Sequence, residues 1–124
     1  MKTIILLGGL YNFGFAIFHT LFWKIFNWRS DLKNLSFANR AIMQILNVQI
    51  IVYFVFTGVV CFVFPTELLH TKLGTYFLGG TSLFWFVRTI QQFIFLRVNH
   101  SKIHILTIIF LIGTILFALP VLIK

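Results

Sequence analysis

The stretch IIVYFVFTGVVCFVF, residues 50–64, contains no charged side chain and almost no polar group beyond hydroxyls. It completes an apolar run that begins near residue 40 and is long enough to cross the roughly 30 Å hydrocarbon layer as a helix. The run is continuous rather than alternating, and lipid does not tolerate an open sheet edge, so a strand is disfavoured. Residues 40–64 are therefore predicted to form a transmembrane helix.

The rest of the chain has the same character. Of its 124 residues, 60% are hydrophobic and 19% aromatic, which is far from the composition of a soluble domain. The first apolar run is longer than a typical signal-peptide core and lacks a small-residue cleavage site, so we interpret it as a retained helix. We predict one domain, 1–124, built as an antiparallel bundle of four transmembrane helices: 3–23, 40–64, 73–97 and 103–123.

The basic residues predict an orientation. One side of the membrane would hold both termini and the connection 65–72, and the other side the connections 24–40 and 98–102. Six of the lysines and arginines at or beyond the span ends fall on the second side (Lys24, Arg29, Lys33, Arg40, Arg97 and Lys102) and three on the first (Lys2, Lys72 and Lys124). Since cytoplasmic loops carry the excess of positive charge, both termini are predicted to be extracytoplasmic, in a bacterial inner membrane.

The connection 24–39 is the only sizeable segment outside the spans. Its apolar residues recur at helical spacing (Ile25, Trp28, Leu32 and Leu35), which is typical of a short helix lying in the headgroup layer. An ordinary basic loop with a tryptophan anchor explains the pattern equally well. Ser36 or Asn34 is predicted to cap the second span.

Each span carries a stripe of polar residues, since residues three, four and seven apart lie on one helix face. With the predicted orientation, these stripes meet in the cytoplasmic half of the membrane. Polar groups in lipid cost free energy unless they face one another or water, so we predict a polar cavity open to the cytoplasm. Its candidate ligand-binding residues are Arg88, Gln44, Asn47, Gln91, Gln92, His19, Trp85 and Asn12.

Arg88 is the strongest candidate, because the two acidic residues of the chain, Asp31 and Glu67, both lie outside the spans. A buried guanidinium commonly pairs with a carboxylate, a carbonyl or a ligand. We therefore expect the cavity to bind an anionic amphiphile, a lipid headgroup or a small anionic metabolite. The alternative is structural: Arg88 reaches toward the headgroups or helix-end carbonyls, and the amides tie helices together.

The histidines offer a weaker alternative. His100 and His104 are four residues apart, and His19 is predicted at a similar depth, so these side chains could bind a transition metal or, as a pair, haem. The sequence would then describe a haem- or quinone-binding redox carrier. His100 is expected in the loop before the last helix, which weakens the pattern, and no cofactor is assigned.

Other functional classes find little support. No Walker loop, GxSxG or HExxH motif is present, so no catalytic residue is assigned. The net charge of +8 is spread over helix ends rather than gathered with base-stacking aromatics, which disfavours nucleic-acid binding. Besides membrane lipids, the partner could be another membrane protein or a second copy, making the chain an accessory subunit or a homo-oligomer. The glycine pairs Gly8-Gly9 and Gly79-Gly80 are predicted to permit close helix approach.

Overall fold

The structure is a computed structural model that describes residues 1–96 and 98–123, and over these residues it is helical with no strand. The all-α prediction is therefore confirmed for this part of the chain. The α-helices are α1 (Lys2–Thr20), α2 (Phe22–Ile25), α3 (Trp28–Asp31), α4 (Phe37–Val63), α5 (Pro65–His70), α6 (Lys72–Phe95) and α7 (Ser101–Leu122), with a 3₁₀ turn at Leu32–Asn34.

Among the described residues, three helices are long and apolar enough to cross a membrane: α1, α4 and α7. The remaining long helix, α6, has 24 residues, which span about 36 Å at 1.5 Å per residue. Its length is therefore sufficient, but Arg88, Gln91 and Gln92 make its second half less apolar than the other three. The chain is a helical protein suited to a membrane, and the four-span bundle stays a prediction.

Contacts divide the described chain into two compact units, one formed by Met1–Gly8 with Cys61–Lys124, the other by Gly9–Val60. In the second unit, α1 and α4 pack antiparallel. Phe15 and Phe54 lie with ring centroids 5.9 Å apart, and the ring of Phe13 covers Gly58 so closely that an added Cβ would lie 2.7 Å from it. The contact of the earlier residue on α1, Phe13, is with the later residue on α4, Gly58, which shows that the two helices run in opposite directions.

In the first unit, α6 and α7 are the main antiparallel pair. The hydroxyl of Ser82 donates to the carbonyl of Thr114 at 2.7 Å, and the rings of Trp85 and Phe110 stack at 5.9 Å. The short helix α5 lies against the start of α6, where a Cβ on Gly74 would collide with the backbone of Leu68. This close approach depends on glycine.

The connection after α1 differs from the predicted interfacial helix. Asn27 adopts a left-handed conformation with φ 50°, and this turn separates α2 from α3. Trp28 and Leu32, which follow this turn, are buried, whereas Ile25, which precedes it, is 51% exposed. The periodic apolar residues thus do not form one face, and the segment is a folded connection of short helical turns.

Several local predictions can be compared with the structure. Ser36 caps α4 as expected, since its Oγ accepts from the backbone N–H of Asn39 at 3.4 Å. Gly8 confirms the close-approach prediction, because a Cβ there would lie 2.8 Å from the ring of Phe117. The same prediction is wrong for Gly79 and Gly80, where an added Cβ would meet no atom within 4 Å.

Candidate functional site

Arg88 occupies the packed face between α6 and α7 and is half-buried. Its Nη1 donates to Oε1 of Gln92 at 3.0 Å, and its guanidinium carbon lies 4.5 Å from the ring centroid of Phe110. A cation over an aromatic face is attracted by the ring quadrupole, by about 0.5–2 kcal/mol. Among residues 1–96 and 98–123, Arg88 makes no ion pair. Part of the structural alternative is therefore present: an amide and a ring hold the guanidinium.

Gln92 joins Arg88 to α7 and is only 2% exposed. While its Oε1 accepts from Arg88, its Nε2 donates to the carbonyl of Ile103 and to Oγ1 of Thr107, both at 3.3 Å. The Thr107 hydroxyl itself donates to the carbonyl of Ile103 at 2.9 Å, so its oxygen is the acceptor for Gln92. This single amide therefore fixes the register of α6 against the first turns of α7.

The face of α6 that the sequence predicted is only partly the buried one. Thr81, Trp85 and Gln92 are buried, but Gln91 is exposed and so is Phe95. The reason is geometric: consecutive residues on an α-helix point about 100° apart, so two adjacent glutamines cannot both face the same partner helix. Gln91 therefore lies outside the packed face, and its role in ligand binding stays a prediction.

A pocket of about 240 Å³ opens beside Gln92, at the end of α6 and the start of α7. Its lining mixes polar and apolar side chains: Gln92, Phe93, Leu96, Val98, Asn99, Ile103, His104 and Thr107. Arg88 lies one turn before Gln92 in α6. It is connected to the pocket through its hydrogen bond to Gln92. Such a lining could receive the polar end of an amphiphile together with the start of its chain.

In the other unit, His19 and Asn47 form a bidentate pair between α1 and α4. Asn47 Oδ1 lies 2.8 Å from Nδ1 of His19, and Asn47 Nδ2 donates to the backbone carbonyl of His19 at 2.9 Å. Because Oδ1 can only accept, the His19 proton must sit on Nδ1. Asn12 is fully buried on the same helix as His19. His19 and Asn47 therefore tie α1 to α4.

Gln44 lies nearer the start of α4 and is part of the folded connection. Its Oε1 accepts from the indole Nε1 of Trp23 at 3.1 Å, and its Nε2 donates to the carbonyl of Arg40 at 3.2 Å. Trp23 and Trp28 pack edge to face at 5.3 Å. The amide thus orients an aromatic pair beside several basic residues.

The predicted histidine cluster receives no support. Among residues 1–96 and 98–123, no three His, Cys, Asp or Glu side chains are grouped so that they could hold a metal ion. His100 is the residue that caps α7, its Nδ1 accepting from the N–H of Lys102 at 3.1 Å, as its position before the helix predicts. His104 Nε2 lies 2.8 Å from Oδ1 of Asn99. These bonds give both rings a structural role.

The sequence reasoning missed Phe110, which underlies the guanidinium of Arg88, and the basic residues beside Gln44. Phe110 belongs to an apolar run, and the sequence of this run does not distinguish a ring that contacts Arg88 from one that faces lipid. The basic residues were interpreted only as an orientation signal. Comparison with known protein families, curated proteins and solved structures gives no match. The site must therefore be interpreted from its own geometry.

Proposed function

We propose that this chain is a four-span membrane protein whose cytoplasmic half binds an anionic amphiphile, a lipid headgroup or a small anionic metabolite through Arg88. One observation carries the proposal: a half-buried guanidinium within α6 that makes no ion pair with any described residue. A cation in the membrane interior costs at least about 2.5–3.5 kcal/mol on insertion scales, so a compensating anion is favourable.

The hydrogen-bonding capacity of Arg88 supports this proposal. A guanidinium has five N–H donors, and in the described part of the chain one bond, to Gln92, is made. Bidentate binding of a carboxylate or phosphate needs two parallel donors, which leaves Arg88 sufficient capacity. The neighbouring pocket supplies an apolar wall from Phe93, Leu96 and Ile103 for the chain of an amphiphile.

The test is native mass spectrometry of the purified protein with extraction of its bound molecules. Wild type should retain an anionic molecule that Arg88→Gln loses, since the substitution removes the charge and keeps a polar side chain. Lys102→Gln is the matched control, because it removes an exposed positive charge at the start of α7. The same bound molecule in wild type and Arg88→Gln, with only lower stability in the variant, would favour the structural role.

The proposed topology puts both termini outside and the connections after α1 and α6 in the cytoplasm. Four spans require α6 to cross the membrane, which its length permits. Single cysteines at Thr66 and Ser101, which are exposed and flank α6, introduced after Cys61→Ala, should be labelled by an impermeant thiol reagent from opposite sides. Labelling of both positions from one side would contradict the four-span arrangement.

A second candidate function is an accessory subunit or a homo-oligomer. The observation that favours it is the exposure of Gln49, near the middle of α4, and of Gln91 on α6. Amides facing lipid are unfavourable, and hydrogen bonds across helices relieve that cost. Mass measurement in a gentle detergent should then give an assembly that Gln49→Leu dissociates. A wild-type monomer, or an assembly that Gln49→Leu leaves intact, would argue against it.

A further inference from the structure

A second polar pocket, separate from Arg88, lies in the folded connection before α4 and has a volume of about 270 Å³. We call it the basic pocket. Its walls combine three cations with two indole rings, one amide and one leucine: Arg29, Lys33, Arg40, Trp23, Trp28, Gln44 and Leu32. The residues therefore come from α2, α3, the 3₁₀ turn and the beginning of α4. The left-handed turn at Asn27 lies between α2 and α3, the two helices that supply the indole rings.

The charge of the basic pocket is not compensated within the protein. None of the described residues that line it is acidic, and none of its three cations makes an ion pair within residues 1–96 and 98–123. Asp31 is close in sequence but lines a different, mainly apolar pocket. Three positive charges around one concave surface repel one another, and an anion bound between them would relieve that repulsion.

The wall of the pocket is ordered by contacts that need no ligand. Trp28 is 9% exposed and Leu32 is 5% exposed, while Trp23 is held by its bond to Gln44. The cations are exposed or half-buried, so their head groups are accessible. Packed aromatic side chains with accessible basic side chains around them form a preformed site for a compact anion.

The depth of the pocket indicates which anion is available. Arg40 lies in the first turn of α4, and Gln44 lies about 10 Å from the start of that helix at 1.5 Å per residue. Since α4 is long and apolar enough to cross a membrane, its first turns lie at headgroup level. Tryptophan is also typical of that level. Phospholipid phosphates lie at the same level.

We propose that the basic pocket binds the phosphate of an anionic phospholipid headgroup, with Arg29, Lys33 and Arg40 as its cationic contacts. Arg29 and Arg40 can each bind phosphate oxygens with two N–H groups, and Lys33 contributes a point charge. The inference requires membrane insertion but not the proposed role of Arg88, so each can fail without the other.

The experiment uses full-length protein in vesicles of phosphatidylcholine with increasing phosphatidylglycerol, each brominated near the carbonyl end of its chains. In a Trp85→Phe background, in which Trp23 and Trp28 are the two remaining tryptophans, quenching of tryptophan fluorescence then gives the relative binding constant of the two lipids beside them. Wild type should prefer the anionic lipid. Each cation near the surface contributes about a fivefold preference, so R29Q/K33Q/R40Q should bring the ratio close to one.

The matched control is K24Q/K72Q/K102Q, which lowers the net charge equally at exposed positions outside the pocket. It should keep the wild-type ratio. An equal loss of anionic-lipid preference in both triple variants would overturn the proposal, and so would a wild-type protein that shows no such preference. So would displacement of the quenching lipid by soluble glycerol phosphate at the same phosphate concentration. If the triple variant fails to fold by circular dichroism, Lys33→Gln alone should still lower the ratio about fivefold.

Discussion

The pair formed by His19 and Asn47 gives a quantitative prediction about how polar groups stabilise this fold. Two hydrogen bonds of 2.8 and 2.9 Å join them, one between side chains and one to the His19 backbone. Hydrogen bonds between transmembrane helices average about 0.6 kcal/mol, with a maximum near 1.7. Asn47→Ala should therefore lower the free energy of unfolding by about 1–3 kcal/mol.

A double-mutant cycle separates the two bonds. His19→Ala removes the side-chain bond and leaves the backbone carbonyl, so Asn47→Ala should still cost about 0.6 kcal/mol in that background. The coupling energy should be about 0.6–1.7 kcal/mol. The assay is reversible unfolding in mixed micelles, in which the fraction of denaturing detergent is raised and helix content is followed by circular dichroism.

Thr20→Ala provides the control for this cycle. Thr20 is the exposed neighbour of His19, and its hydroxyl donates to the carbonyl of Ile17 rather than to Asn47. Its coupling to Asn47→Ala should be zero within about 0.3–0.5 kcal/mol, the usual error of additivity. A His19–Asn47 coupling no larger than this control value would refute the argument that the pair links α1 to α4.

Three further predictions concern stability and can be measured by the same unfolding assay. Gly74→Ala should lower the free energy of unfolding by at least about 2 kcal/mol, because the new Cβ meets the backbone of Leu68. Gly79→Ala has open space around it and should be neutral or stabilise the fold by up to about 1 kcal/mol. Equal effects of the two substitutions would contradict the packing of α5 on α6. Thr57→Val should be neutral or stabilise by up to about 1 kcal/mol, because its buried hydroxyl makes no hydrogen bond to the described residues; a loss above about 1 kcal/mol would reveal a partner. Asn27→Val should lower the free energy of unfolding by about 1–3 kcal/mol, because a β-branched residue is strained at φ 50°. Asn27→Gly should be tolerated. A valine variant as stable as wild type would mean that the turn can adopt another conformation.

Hydrophobic run length was sufficient to predict the long helices. The predicted spans 3–23, 40–64, 73–97 and 103–123 differ from α1, α4, α6 and α7 by up to three residues at each end. The largest differences fall at the end of α1 and the start of α4, where Trp23 and Arg40 could be placed in either a span or a connection. Composition does not decide such boundaries, because local turns and caps do.

The helix connections were predicted less well, because their structure depends on single residues. Pro65 lies two residues after the end of α4 and is the first residue of α5. Proline fits that position since its missing N–H would have no partner there. Asn27 gave no sequence signal strong enough to predict a left-handed turn.

The polar residues were predicted by helix face but not by partner. Helical spacing indicated that Asn47 and Gln92 face inward, and both are buried. It could not reveal that His19 and Thr107 take up their hydrogen bonds, because a periodic pattern on one helix contains no information about the rotation of the next. From sequence alone, polar residues that hydrogen-bond to each other between two helices therefore cannot be distinguished from polar residues that bind a ligand.

The Gln92 amide has a consequence for any molecule that enters the pocket beside it. A ligand oxygen that accepts from Nε2 must replace the Ile103 carbonyl or the Thr107 hydroxyl. Ligand binding and the contact between α6 and α7 are then thermodynamically coupled. A ligand bound in the pocket weakens the junction of α6 with α7, and a weaker junction raises the affinity of the pocket for the ligand. Because the same amide accepts from Arg88, a molecule arriving there would also alter how firmly the guanidinium is held.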